Sequence, residues 1–473
     1  MRLFPWGKPA RRDIRRHPRV QPVRIDLSPL RQRVAKPHGP ILLMYGFAAL
    51  IIVGTLLLML PFSTATGRPA PFLDAFFIAT SAVTVTGLTV VNMGTYWSPF
   101  GQVVVLLLVQ AGGLGFMSMS TIMLLLAGRR ITLGERLALR EALGEYAVGG
   151  IIRLLRRVAY VSFLIEAVGA AILYVQFSKD FPGVEGVWKA LFHSVSAFNN
   201  AGFDILPGNT SFVIYNGNLL VMGTLAVLIM LGGISYTVIA DFVKTRNLTR
   251  MSLDSRLVVT ISILLWVMGA VVILLAEFTN PSTLGNLPPG LKLANAMFQS
   301  VAPRTAGFAS VDIGKLRDFT LFFTCGLMFV GGASGSTAGG IKANTLGVLL
   351  ASVWSSMRGR SHVEAFGREL PEDVMSRALA VVVLSLGLVF STILLLSLTE
   401  SHSFIRVLFE AFSAFGTVGL STGITPDLSL LGRLIIISMM FVGRLGPLTL
   451  ALSLAQREEA KSIRFAQERI KIG

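Results

Sequence analysis

Phe409-Glu410-Ala411-Phe412-Ser413-Ala414-Phe415-Gly416-Thr417-Val418-Gly419-Leu420 is a short apolar run that ends in Thr-Val-Gly. Potassium filters use a loop of this kind, in which backbone carbonyls replace the water shell of the ion. Glycine suits such a loop because it lets the backbone bend where a Cβ would clash. Taken alone, Thr-Val-Gly is a weak signal, but this chain carries three relatives of it. Residues 77–88 read FIATSAVTVTGL, 192–203 read FHSVSAFNNAGF and 298–308 read FQSVAPRTAGF. The four glycines, Gly87, Gly202, Gly307 and Gly419, are separated by 115, 105 and 112 positions. The candidate filter residues are therefore Val85, Thr86, Gly87, Asn200, Ala201, Gly202, Thr305, Ala306, Gly307, Thr417, Val418 and Gly419.

Around these loops the chain is apolar. Of its 473 residues, 53% are hydrophobic and only 14% charged, a balance that points to a polytopic membrane protein. The same order recurs four times: a spanning run, a run too short to span that leads into a glycine loop, and a second spanning run. This divides the chain into repeats at 40–127, 158–243, 257–354 and 378–455, joined by polar loops at 128–157, 244–256 and 355–377. The expected fold is all-α, four M1–P–M2 repeats in pseudo-fourfold arrangement around one pore. Irregular backbone at membrane depth is tolerated only where it lines a cavity or is buried in protein. The net charge of +17 does not indicate nucleic acid, since 31 of the 42 Lys and Arg residues fall in segments on one side of an eight-span topology. That side is read as cytosolic, with both termini inside. The basic tail 1–39 is either a segment lying on anionic lipid or a solvated disordered tail, and 456–473 is a second cytosolic tail. The single Cys325 excludes an intrachain disulfide, and the five histidines have no metal-ligand spacing.

Further motifs lie in the second spans. Gly112-Gly113, Gly232-Gly233, Gly331-Gly332 and Gly443-Arg444 recur about 25–30 positions after each filter glycine. Paired glycines allow either close helix packing or a kink. In the last copy a guanidinium takes the place of glycine at membrane depth, where a charge is costly and usually functional. Arg444 is read as facing the pore, with a structural pair, for example with Glu166, as the alternative. Glu166 itself has three readings: a ligand for a coupling ion, a partner of Arg444, or an acid near a helix end. Gly331-Gly332-Ala333-Ser334-Gly335-Ser336-Thr337-Ala338-Gly339-Gly340-Ile341-Lys342 cannot stay helical, so the span must break there into a movable plug. A phosphate-binding loop is excluded, because Ile341 stands where the lysine belongs. Asp74 and Glu410 beside the short helices are read as helix-end charges or as a weak cation-attracting field at the outer mouth.

These motifs (RTAGF, GTVGLSTG, GGASGSTAGGIK and VGRLGP) resemble the Trk/Ktr/HKT superfamily of potassium transporters over about residues 40–455. The chain looks most like the KtrB type of bacterial membrane subunit, because only a hydrophilic tail precedes the first span. A TrkH-like subunit with a TrkA-like regulator is the alternative. The resemblance implies potassium uptake in the bacterial cytoplasmic membrane. It implies a homodimer with one pore per protomer, docked on a cytosolic nucleotide-binding ring of the KtrA type. It places the four glycines in the filter, 331–342 in an intramembrane gating loop and Arg444 in the last M2 helix. Family members with serine at the first filter position favour sodium, so Gly87 indicates potassium. Sodium stimulation is implied by Ktr relatives. The transported ion is K+, with Na+ as a further candidate, and no covalent or nucleotide cofactor is expected on this chain. Neither HExxH nor GxSxG occurs, so a membrane-embedded hydrolase is disfavoured. A structural or receptor subunit without transport is the remaining class, and the fourfold loop signature argues against it.

Overall fold

The computed structural model describes residues 39–115, 151–208 and 211–446. The expected basic tail, the C-terminal tail and most of the 128–157 loop lie outside the described residues. So do Arg129, Arg130, Arg136, Arg140 and Arg457. The described chain is mostly helical. Helix α1 (Gly39–Leu58) leads to the short α2 (Phe72–Val83), a filter loop and α3 (Pro99–Leu114). Helix α4 (Ile151–Asp180) leads to α5 (Val184–Phe198) and α6 (Leu219–Gly233), which bends into α7 (Tyr236–Thr245). Helix α8 (Leu253–Glu277) leads to α9 (Pro289–Val301) and to α10 (Asp318–Phe329), which is separated from α11 (Ala343–Met357) by irregular chain. Helix α12 (Glu372–Thr399) leads to α13 (Phe404–Gly416) and α14 (Leu430–Leu445). A small antiparallel hairpin, β1 (Glu364–Ala365) and β2 (Arg368–Glu369), lies before α12.

Helices α8 and α12, with 25 and 28 residues, and the 25-residue Arg156–Asp180 part of α4 are long and apolar enough to cross a membrane. The short helices have 12 to 15 residues, so each rises only about 18–22 Å, less than a bilayer core. Their starts have no side-chain cap, whereas Ser98, Asn218 and Ser429 cap α3, α6 and α14. One expectation needs correction. Residues 218–243 do not form one straight span: α6 stops at Gly233, Ser235 caps α7, and the two axes differ by 96°. Gly232 and Gly233 are the reason, because their carbonyls accept from another segment instead of continuing the helix.

Packing runs in a cycle. Helix α3 packs on α5, α6 on α9, α10 on α13, and α14 returns to α2. That last contact carries an ion pair, Arg433 to Asp74 at 2.7 Å, and Arg433 also donates to the carbonyls of Leu428 and Pro426. Asp74 thus joins the first turn of α2 to α14. Glu410 lies within α13 and not at its start, and it accepts from the hydroxyls of Ser421 and Thr425, pinning the loop after Gly419.

Candidate functional site: four glycine loops and the segment beneath them

The twelve candidate filter residues lie together. A Cβ on Gly87 would overlap the carbonyl of Ala201, and one on Gly202 would overlap that of Ala306. Gly307 stands in the same relation to Val418, and Gly419 to Thr86, which closes the circle. Each glycine therefore leaves room for the carbonyl that precedes the next one. All four glycines have positive φ, between 69° and 91°.

The residue two before each glycine also has positive φ: Val85 (57°), Asn200 (58°), Thr305 (75°) and Thr417 (49°). Three of these are β-branched, for which this region is a genuine outlier that costs about 1–3 kcal/mol. Hydrogen bonds hold it in place. The amides of Thr86, Ala201 and Val418 donate to the carbonyls of Ser81, Ser196 and Ser413 at 2.7–2.9 Å, and that of Ala306 to Ala302. The amides of Gly87 and Gly419 donate to the hydroxyls of Ser81 and Ser413. The N–H groups thus point back into the short helices. Among the described residues no donor reaches the carbonyls of the first two residues in any loop, Val85 and Thr86, Asn200 and Ala201, Thr305 and Ala306, or Thr417 and Val418. Buried carbonyls without donors are rare and are suited to holding a cation. The carboxyl ends of the short helices, which carry partial negative charge, lead into the same place.

A cavity of about 480 Å³ opens over the glycines and is lined also by Asp204, Asp312, Lys315 and Thr422. Asp204 was missed by sequence reasoning. Its signal was available, since it is the only acid two residues after a filter glycine, where the other loops have Thr89, Ala309 and Ser421.

The segment 331–342 lies on the other side of the loops. Its base is pinned by a parallel bridge between Val330 and Ile341, with Gly331 N–H donating to Ile341 O. Ala333 and Thr337 donate to the terminal carbonyls of α6. A Cβ on Gly339 would overlap the Thr417 side chain, and one on Gly331 would press on the Thr305 methyl. Ser334 donates to Asn344, Ser336 to Ala333 O, and the Lys342 ammonium folds back onto Ala338 O at 2.6 Å. Arg444 donates to the carbonyls of Thr337 and Gly112, so it bridges this segment to α3.

Glu166 is elsewhere. Its Oε1 accepts from Gln110 at 3.1 Å and from Asn199 at 3.0 Å, in a buried network behind the second loop. The pairing of Arg444 with Glu166, one of the open alternatives, does not occur. The glycine pairs are packing devices. Gly112, Gly232 and Gly443 clear the carbonyls of Val83, Phe198 and Phe415, each four residues before a filter glycine. Gly331 departs from this rule and clears Gly339 O within its own segment.

The four loops present a circle of backbone carbonyls, and the described residues around them assemble no acid, base or nucleophile. The family model described as TrkH, cation transport protein, matches residues 30–464, and the chain belongs to that family. It is a multi-pass membrane protein and not an enzyme. It is 43% identical to the Ktr system potassium uptake protein B of Bacillus subtilis, over 90% of this chain and 95% of that protein. It is 38% identical to the potassium/sodium uptake protein NtpJ of Enterococcus hirae, over 94% and 99%. The crystal structure of the potassium transporter TrkH from Vibrio parahaemolyticus shares the fold, with a TM-score of 0.71 at 19% identity, covering 89% of this chain and 86% of that one.

Proposed function

We propose that the chain takes potassium into the cell through a gated, channel-like pore formed by four pseudo-fourfold M1–P–M2 repeats. The observation that carries this reading is the closed circle of four glycine loops whose carbonyls have no donor. Two left-handed positions in each loop, separated by one ordinary residue, turn successive carbonyls toward a common side. The twelve filter residues from Val85 to Gly419 then replace the water shell of the ion. Asp204 at the mouth raises the local cation concentration. Potassium is favoured over sodium because Gly87 and its three counterparts present only backbone to the ion. The name of the Bacillus subtilis relative, a potassium uptake protein, supports this choice, and that of NtpJ, a potassium/sodium uptake protein, makes sodium the competitor to test.

The segment Gly331 to Lys342, with Gly332, Ser334, Gly335, Ser336, Thr337, Gly339 and Gly340, is the gate, and Arg444 is its latch. It obstructs the path beneath Thr305 and Thr417, and the guanidinium repels a cation where water is scarce. The protein works as the membrane subunit of a Ktr-type system. It is a homodimer in the cytoplasmic membrane with both termini inside, its cytosolic loops docked on a nucleotide-binding regulatory ring. The ring shifts the gate by binding the open arrangement better. The test is uptake of potassium and sodium by liposomes that contain the purified protein, with each ion competing against the other. Potassium uptake that sodium fails to suppress is expected, and equal uptake of both ions would overturn the selectivity assignment.

A further inference from the structure

Arg304 stands between the last turn of α9 and Thr305 of the third filter loop. Its side chain is buried, with the residue only 4% exposed. One guanidinium nitrogen, Nη2, donates to the carbonyl of Gly331 at 2.7 Å. The group lies over the Trp266 ring of α8, 5.6 Å from its centre, and its Nε has no partner. No carboxylate among the described residues pairs with it. The corresponding positions three residues before the other glycines are Thr84, Asn199 and Gly416, all uncharged. An unpaired buried cation is expensive, so a bland packing role accounts poorly for it.

Its acceptor is the informative part. Gly331 is the root of the 331–342 segment, and the same glycine packs on the Thr305 methyl. Two consecutive residues of the third loop therefore hold the root of that segment, one by a charge-assisted hydrogen bond and one by contact. Thr305 is also the most displaced of the β-branched residues, with φ of 75°, and its hydroxyl faces the Asn200 side chain of the second loop. A void of about 10 Å³ beside Arg304 is bordered by Gly332, Gly233 and Trp266, the places where the segment meets α6 and α8.

We propose that Arg304 is a positioning residue that ties the root of the 331–342 segment to the third filter loop, so that the position of the segment sets the ion preference of the filter. This rests on the reading of that segment as the gate. Displacement of Gly331 would pull on Arg304 and so on Thr305, whose strained backbone is held only by its surroundings.

The experiment compares four proteins in liposomes: the parent, Arg304→Met, a deletion of residues 333–339, and the two combined. Total potassium flux and the potassium-to-sodium uptake ratio are measured for each. Arg304→Met is expected to lower the ratio about two- to thirtyfold, the span of measured couplings through such contacts. The deletion is expected to lower it too, and the combined protein to be no worse than the more affected single variant. A ratio unchanged by Arg304→Met, or a combined loss equal to the product of the two, would overturn the proposal. The gate reading is judged separately, by whether the deletion raises flux. If Arg304→Met does not insert, Trp266→Leu takes its place in the same comparison, since it removes the ring that supports the guanidinium. A lower ratio with Trp266→Leu, no worse in combination with the deletion, supports the tie; an unchanged ratio or a multiplicative loss overturns it.

Discussion

The residue that most constrains the four loops is glycine with positive φ. Gly87, at φ 90°, sits against the Ala201 carbonyl and the Gly202 backbone. Serine there would meet the carbonyl with its Cβ, and a left-handed conformation alone costs an L-residue about 1–2 kcal/mol. Gly87→Ser is therefore expected to weaken discrimination against sodium, read as a lower potassium-to-sodium ratio in competitive uptake; an unchanged ratio would remove Gly87 from the filter. Glu166 acts at the same scale by a different means. Its carboxylate holds the Gln110 and Asn199 amides, and Asn199 adjoins the second filter loop. Glu166→Leu leaves the buried Gln110 amide without its acceptor, at about 1–3 kcal/mol, while Asn199 keeps Gln110 Oε1 and the Val195 carbonyl. Glu166→Gln keeps an oxygen in place. Thermal unfolding in detergent should show a clear loss for leucine and little for glutamine, whereas an equal loss for both would point to a role for the charge itself, such as ion binding.

Among the elements, the segment between α10 and α11 joins four parts of the molecule by hydrogen bonds and contacts. It donates to α6, accepts from Arg444 of α14, and touches the third and fourth filter loops. Glycine-rich backbone lets such a segment change arrangement at low cost. Arg444→Ala removes the hydrogen bonds to Thr337 and Gly112 together with the charge. Deleting 333–339 removes the body of the proposed gate. Both variants are expected to raise potassium flux into liposomes, and the deletion should also reduce dependence on the soluble partner. A deletion that folds and conducts no faster than the parent, with and without the partner, would leave the segment as a structural break only.

At the scale of the whole molecule, the cyclic packing of α3 on α5, α6 on α9, α10 on α13 and α14 on α2 brings the four loops together. The proposed partner surface belongs to the same scale. Arg129, Arg130, Arg136 and Arg140 supply the densest basic stretch between spans. Neutralising them is expected to weaken co-purification of the regulatory ring while the protein still inserts. Intact complexes formed from inverted or unstable protein would mean that these arginines serve topology alone.

The sequence by itself determined what repeats. Glycine at four spaced positions, the apolar runs between them and the glycine-rich break at 331–342 are local properties, written in composition and order. They were enough to single out the four loops that the structure brings together, because only a narrow set of residues tolerates that backbone. Tertiary structure alone decided who meets whom. A pair between Glu166 and Arg444, opposite charges at membrane depth, was one of the readings that the sequence left open. Yet Glu166 was satisfied by Gln110 and Asn199, and Arg444 by two backbone carbonyls. The bend after Gly233 depended on donors from the 331–342 segment, far away in the chain. Arg304 stands inside the RTAGF motif, but nothing in the sequence marks its bond to the Gly331 carbonyl. Backbone carbonyls are the acceptors in most of these contacts, and every residue carries one, so no side-chain pattern could have marked them.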